Sequence, residues 1–388
     1  MSVTHERPTL RRQAPNWSHW HRSAAYSIGI EEEVMVLEPE RFALAARTDA
    51  LLHELPLALA DSVTGETHQA VLELTSAPHI QAGHAAAELQ RLRRDLTDVL
   101  AARGLRAAAA GTHPLAVWRD IHVSSAPRYQ HVYASMRELA RREPTFAQHV
   151  HIGVPDPERA VALLNRLREH LPLLLAASAN SPFWQGRDSG LASARTSIFQ
   201  AFPRVGIPRA FADYTDYVEA VDRMLRWGAF EDPTFLWWDV RLQPALGTVE
   251  VRIMDTQSTT ARTGGLAALV QAIAHLELEE GSRPGTILHP PEVLAENRFL
   301  AARDGMRARL LDPLSEARMP AEELLERLMS QAAPHAHAVG CGVALEVLRV
   351  HMSDTGERRQ RALAHRHGLR GLMAGLVDQF TAQPGAIP

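Results

Sequence analysis

Residues 28–37 read Ile-Gly-Ile-Glu-Glu-Glu-Val-Met-Val-Leu. Ile28, Ile30, Val34 and Val36 occupy even positions, whereas Gly29, Glu31 and Glu33 occupy odd ones. Successive side chains on a strand point to opposite faces, so the pattern predicts a strand with one core face and one carboxylate face. Glu31 and Glu33 would then lie roughly 6.5–7 Å apart between Cα atoms. Like charges that close repel, and burying them is costly unless a cation sits between them. Glu32 falls on the apolar face, where pairing with an arginine is expected.

Four more segments share this alternation. In Gln69–Thr75, Ala70, Leu72 and Leu74 oppose Gln69, Glu73 and Thr75. In Ala147–Val154, Val150, Ile152 and Val154 oppose His149 and His151. In Leu236–Gln243, Trp238, Val240 and Leu242 oppose Asp239 and Arg241. In Thr248–Met254, Val249, Val251 and Ile253 oppose Glu250 and Arg252. A sheet with one wet face explains any single strand. A merely wet face, however, should carry Lys, Thr, Ser and Gln, whereas these faces carry Glu, His, Asp and Arg. One open sheet whose polar side forms an active-site trough accounts for all five.

The residue types on that side point to a chemistry. Glu31, Glu33, Glu73 and Glu250 supply oxygen ligands suited to a hard divalent cation, and His151 supplies a nitrogen. Mg²⁺ is the usual ion beside phosphate; a histidine ligand leaves Mn²⁺ open. Four carboxylates suffice for two or more ions, the arrangement that clamps a transferring phosphoryl group. Arg252, two positions from Glu250, suits a guanidinium meeting phosphate oxygens. Arg241 either does likewise or pairs with Asp239. The stretch Ser178–Phe211, rich in Gly, Pro and Ser, reads as a substrate-covering loop. Within it, Arg195 is the candidate for gripping an α-carboxylate.

Composition narrows the alternatives. The chain has 388 residues, 46% hydrophobic and 22% charged, with a net charge of −4. That gives no basic field for nucleic acid or anionic membrane. No apolar run approaches the roughly 20 residues of a membrane span. All 41 basic residues are arginine, which excludes Walker-A loops and Schiff-base lysines, since both need an ε-amine. A lone Cys341 is expected of a reducing cytoplasm. Residues 1–24, without an apolar h-region, read as a flexible tail ahead of a single catalytic domain over 25–388. His149-Val150-His151 also resembles the His-x-His pair of zinc hydrolases, a competing expectation. Helices are expected over Gly83–Arg103, from Pro157 to Ala177 with a kink or division at Pro172, and over Asp213–Trp227, Thr263–Glu280, Pro291–Arg303, Ala321–Gln331, Val343–Met352 and Glu357–Thr381.

Assembled in order, these residues resemble the carboxylate-amine ligases, also called type 2 glutamate–cysteine ligases. The landmarks are Gly29-Ile30-Glu31-Glu32-Glu33, Glu73-Leu74-Thr75, Gly111-Thr112-His113-Pro114, His149-Val150-His151-Ile152-Gly153, Ser181-Pro182-Phe183-Trp184, Trp237-Trp238-Asp239-Val240-Arg241, Thr248-Val249-Glu250-Val251-Arg252 and Glu296-Asn297-Arg298. The resemblance implies an α+β, glutamine-synthetase-like catalytic domain, a curved and mainly antiparallel sheet flanked by helices with an open concave active-site face. It implies Glu31, Glu33, Glu73, His151 and Glu250 as metal ligands, with Arg252 and Arg195 catalytic. Arg252, Arg241, Asn297 and Arg303 are the expected nucleotide contacts. The implied reaction uses ATP and Mg²⁺ to join a carboxylate, that of glutamate, to an amine such as that of cysteine, through an acyl phosphate. A homo-oligomer is compatible with this reading. A guanidino-kinase-like phosphotransferase, of the same broad fold, is the alternative.

Overall fold

The computed structural model describes residues 14–141, 144–281, 289–312 and 315–382. Its centre is the strand β1, Ile28–Leu37, held on both sides. With β2 (Val63–Gly65), β3 (Val71–Thr75), β4 (Arg106–Ala108), β5 (Ala147–Gly153), β6 (Val240–Gln243) and β7 (Thr248–Asp255) it forms a seven-stranded sheet. The order is β6-β7-β5-β1-β3-β2, with β4 against the end of β1. Every pairing in it is antiparallel, and the sheet does not close.

Alternation along β1 continues onto its neighbours because their registers align like with like. Ile28, Ile30, Val34 and Val36 join Leu72, Leu74, Val150, Ile152, Val249 and Val251 in one buried cluster. Helices Ala82–Ala101, Pro157–Ser178 and Thr260–Glu280 cover that face. Each such Val, Leu or Ile contributes about 1.5–3 kcal/mol on burial. Thr260–Glu280 is buried through most of its length, as suits a central helix that carries no polar stripe.

The odd face of β1 changes character along the strand. Beyond Glu31 and Glu33 come Met35 and Leu37, which join Val71, Ala108, Phe146 and Phe183 in a second apolar cluster. Leu372, Met373 and Leu376 cap it, from the part of Gly356–Phe380 that follows a break at Gly368, where φ is +68°. The polar trough thus occupies only one end of the sheet face.

The expected helices are present, with several boundary differences. Pro157–Ser178 runs through Pro172 undivided, because Leu171, Leu174 and Leu175 are buried on either side and packing outweighs the missing hydrogen bond. Leu236–Gln243 is not one strand: Trp237–Trp238 pairs in parallel with Val205–Gly206, and only β6 joins the main sheet. Residues 1–13 of the expected tail lie outside the described residues. Residues 14–24 do not hang free: a 3-10 turn spans Asn16–Ser18, and the indole of Trp20 donates to the Val154 carbonyl at 2.8 Å.

Candidate active site

The sheet register brings the trough residues together directly. Glu33 lies opposite Glu73 across β1 and β3, and Glu31 opposite His149 across β1 and β5. His151 faces Glu250 across β5 and β7, which in turn faces Arg241 on β6. Gly29 sits opposite His151, and the space where a side chain would stand lies 3.8 Å from the His151 Cβ. His151 therefore leans across toward Glu31, with Nε2 3.2 Å from Oε1. Its Nδ1 meets the Thr248 hydroxyl at 3.0 Å, an arrangement that fixes a ligating imidazole.

Three groups of donor atoms converge closely enough to hold a cation: Glu31 with Glu73 and His149, Glu31 with His151 and Glu250, and Glu33 with Glu66 and Glu73. Their titration follows from their partners. Burial, then the charge of Glu66, pushes Glu33 up to about 8. Burial and the neighbouring charges of Glu31, Glu66 and Glu33 push Glu73 far above the usual carboxylate range. Burial alone would raise Glu31, but the His151 charge and the hydrogen bonds from His149 and His151 bring it below that range. Glu250 is also buried, yet Arg241 and Arg252 hold it well below. Burial and the Arg252 charge lower His149 to about 4, while Glu31 and Glu250 raise His151 against its burial.

The arginines divide by what they already hold. Arg241 donates through Nε to Glu250 at 2.6 Å and through Nη1 to the Thr234 and Leu236 carbonyls at 3.0 and 2.8 Å. It therefore braces Glu250, joined by Gln243 at 2.7 Å, and does not pair with Asp239, which Arg298 takes at 2.5 Å. Arg252 also pairs with Glu250, and its buried Nε has no hydrogen-bond partner among the described residues. Arg195 lies not in an open loop but in the short helix Ala194–Phe199. Its Nη atoms donate to the carbonyls of Ile253 and Arg252, with Asp255 3.7 Å away and Nε unpaired.

Asp255 anchors that helix. Its carboxylate accepts from Ser181 at 2.7 Å, Ser193 at 3.0 Å and the Asn180 amide at 2.8 Å. Gly111 packs against it so closely that a Cβ there would lie 2.6 Å from its carboxyl carbon.

Two expected nucleotide contacts lie elsewhere. The Asn297 side chain is consumed by the backbone of Leu311, at 2.8 and 2.7 Å, and Arg303 is exposed and paired with Asp304. Their helix packs against Pro157–Ser178 and Ala194–Phe199, and it is Arg298 that it brings beside Arg195 and Arg252. His113 is buried against the Phe42 carbonyl and lines no cavity of the trough. Conversely Glu66, Arg128 and Tyr129 line the trough without having been singled out. Glu66 follows the end of β2, where no alternation could flag it.

Two cavities meet at Glu31. One, of about 260 Å³, holds Glu33, Glu66, Glu73 and Arg195 and is walled by Phe199 and Trp237. The other, of about 560 Å³, reaches His151 and Glu31 at its floor and is otherwise lined by residues such as Ile28, Pro78, Ile80 and Leu246. Among the described residues no helix is long and apolar enough to cross a membrane.

The sequence profile described as Glutamate-cysteine ligase family 2 (GCS2) matches residues 27–382. A Rubrobacter xylanophilus protein provisionally named glutamate–cysteine ligase 2-1 is 39% identical over 347 residues, covering 89% of this chain and 92% of its own. A Sorangium cellulosum protein provisionally named glutamate–cysteine ligase 2 is 34% identical, covering 91% and 96%. Among solved structures, a Francisella tularensis glutamate–cysteine ligase in complex with AMP superposes with a TM-score of 0.67 at 16% identity, covering 95% of this chain and 92% of that one. A bifunctional glutathione synthetase from Pasteurella multocida gives 0.68 at 14%, covering 92% and 52%. These two share the fold. The profile match over nearly the whole length, together with relatives above 30% identity end to end, places the chain in glutamate-cysteine ligase family 2, whose members are ATP-dependent carbon–nitrogen ligases.

Proposed function

We propose that this protein joins the γ-carboxylate of L-glutamate to the amine of L-cysteine, or of a related amine, with ATP converted to ADP and phosphate. The observation that carries this is the convergence of five carboxylates and two imidazoles from β1, β3, β5, β7 and the turn after β2 on one end of one sheet face. The donor set fits Mg²⁺: Glu73 makes no side-chain hydrogen bond or ion pair among the described residues, and Glu33, Glu66 and Glu73 raise one another without any of them pairing with an arginine there. Carboxylate oxygens outnumber nitrogens, which favours a hard ion over zinc. Glu31, His151 and Glu250 would hold one ion, and Glu33, Glu66 and Glu73 another. Bound there, such ions would supply positive charge to offset that of the triphosphate.

The chain's own residues then have distinct tasks. The apolar cavity above Glu31 and His151 suits the nucleotide base, which sets the phosphates over those two residues. Arg252 meets the charge that spreads over the transferring group. Arg241 and Gln243 keep Glu250 ionised and aimed. Arg195, held by Asp255, presents its free Nε to the acid substrate in the smaller cavity. The substrate carboxylate takes up the phosphoryl group, the amine attacks the acyl phosphate, and phosphate leaves. An ATP-consuming reaction of this kind belongs in the cytoplasm, where the buried thiol of Cys341 stays reduced. The test is ADP release with acid alone, amine alone and both, with mass spectrometry for the amide. Release only with both supports ligation; ADP with the acid or amine alone, accompanied by a stable phosphorylated product, would make the protein a phosphotransferase.

A further inference from the structure

Residues 16–24 lie ahead of the stretch that matches the family profile, yet they are built into the larger cavity. His21, Arg22, Ser23 and Ala24 all line it. The segment is tied down along its whole length. The Ser18 carbonyl accepts from the Tyr214 hydroxyl at 2.6 Å, the His21 amide donates to the Pro244 carbonyl at 2.8 Å, and the Ser23 hydroxyl donates to the Gly247 carbonyl at 2.6 Å. Trp17 and Trp20 meet Tyr217 and Tyr214 edge to face, with centroids 6.4 and 5.7 Å apart. The sheet makes room for it with two glycines: a Cβ on Gly247, where φ is +65°, would sit 2.0 Å from the His21 carbonyl oxygen, and one on Gly153 would sit 2.3 Å from that of Ala24. A chance tail would not meet two backbone positions that only glycine can occupy.

We propose that the segment Trp17–Ala24 is the outer wall of the nucleotide site, closing the cavity beside the base of ATP. This rests on the reading of that cavity as the base pocket. Imidazole and guanidinium planes stack on nucleobases, and His21 and Arg22 present both at the rim. Without the wall, the base is left on an open apolar shelf. The segment therefore governs nucleotide affinity and leaves cation binding in the trough alone.

The test uses the full chain and two variants that loosen the wall away from the trough: Tyr214→Phe, which removes the bond to the Ser18 carbonyl, and Trp20→Phe, which removes the bond to Val154. Mg-ADP binding is read by calorimetry, and Mn²⁺ binding without nucleotide by paramagnetic resonance. The expected result is a Kd for Mg-ADP raised about tenfold in both variants, with Mn²⁺ affinity within about twofold of the parent. Hydrogen exchange confirms that residues 16–24 have loosened. Unchanged Mg-ADP affinity in a variant whose segment has loosened overturns the proposal. A parent protein that binds Mn²⁺ but no Mg-ADP overturns instead the reading of the cavity on which it stands. Should neither single variant loosen the segment, the double variant decides.

Discussion

Glu32 and its two neighbours on β1 meet opposite surroundings. Beneath the sheet, the Glu32 carboxylate receives Arg93 Nε and Nη2 at 2.9 and 2.8 Å and the Thr263 hydroxyl at 2.5 Å. Arg93 spends its remaining donors on the carbonyls of Gln257, Ser258 and Phe380. Both side chains are fully buried, and every charge has a fixed partner from the protein. Above the sheet, Glu33 and Glu73 stand opposite each other with Glu66 beside them, and burial has pushed all three up. The lower group is complete as folded; the upper one is left with its carboxylates facing one another. Glu32 and Glu33, identical and adjacent, thus differ in whether the fold supplies a paired arginine.

The comparison can be broken. Glu31→Gln should cost ATP turnover about a thousandfold, because two of the three donor groups lose a member, while thermal stability stays near that of the parent. Substantial turnover in this variant would remove the upper group from the chemistry. Arg93→Met should do the reverse. It strands the Glu32 charge in the core, with an expected loss of about 3–5 kcal/mol in denaturant unfolding and near-normal turnover per folded molecule.

A pH series sharpens the contrast. Carboxyls whose folded-state values are raised contribute stability at low pH that is lost as pH rises through those values. With Glu33 near 8 and Glu73 and Glu66 also raised, the cation-free protein should become less stable between pH 6 and 9. Glu31 and Glu250, both lowered, act only at acid pH and leave this window alone. Saturating Mg²⁺ should flatten the slope, and Glu33→Gln should flatten it without Mg²⁺. An unchanged melting temperature across that range would count against the clustering. The smallest effect is expected of Arg303→Ala: with its guanidinium turned to Asp304, the KM for ATP should not move, and a clear rise would restore it to the nucleotide site.

Much of this was legible in the sequence because antiparallel strands translate parity into placement. Glu31, Glu33, Glu73, His151, Glu250 and Arg252 fell on one side by counting, and the register then made them neighbours. The failures have equally physical causes. Asp255, which anchors the helix bearing Arg195, escaped because β7 carries a bulge between Val251 and Met254. One extra residue there reverses parity, so Asp255 lands opposite Ala147 on the trough side. Glu66 sits in a turn, where no periodicity operates. Asn297 entered by likeness to a motif and Arg303 from the same helix, whose orientation toward the trough no local pattern encodes.

Arg93 gathers carbonyls from residues 257, 258 and 380 around a carboxylate from residue 32. During synthesis on the ribosome, that guanidinium must wait 287 positions for its last acceptor. The strand it steadies also carries Glu31 and Glu33, so the acidic end of the sheet is braced from the far end of the chain. A chain stopped short of Phe380 would leave an Arg93 donor in the core without that acceptor.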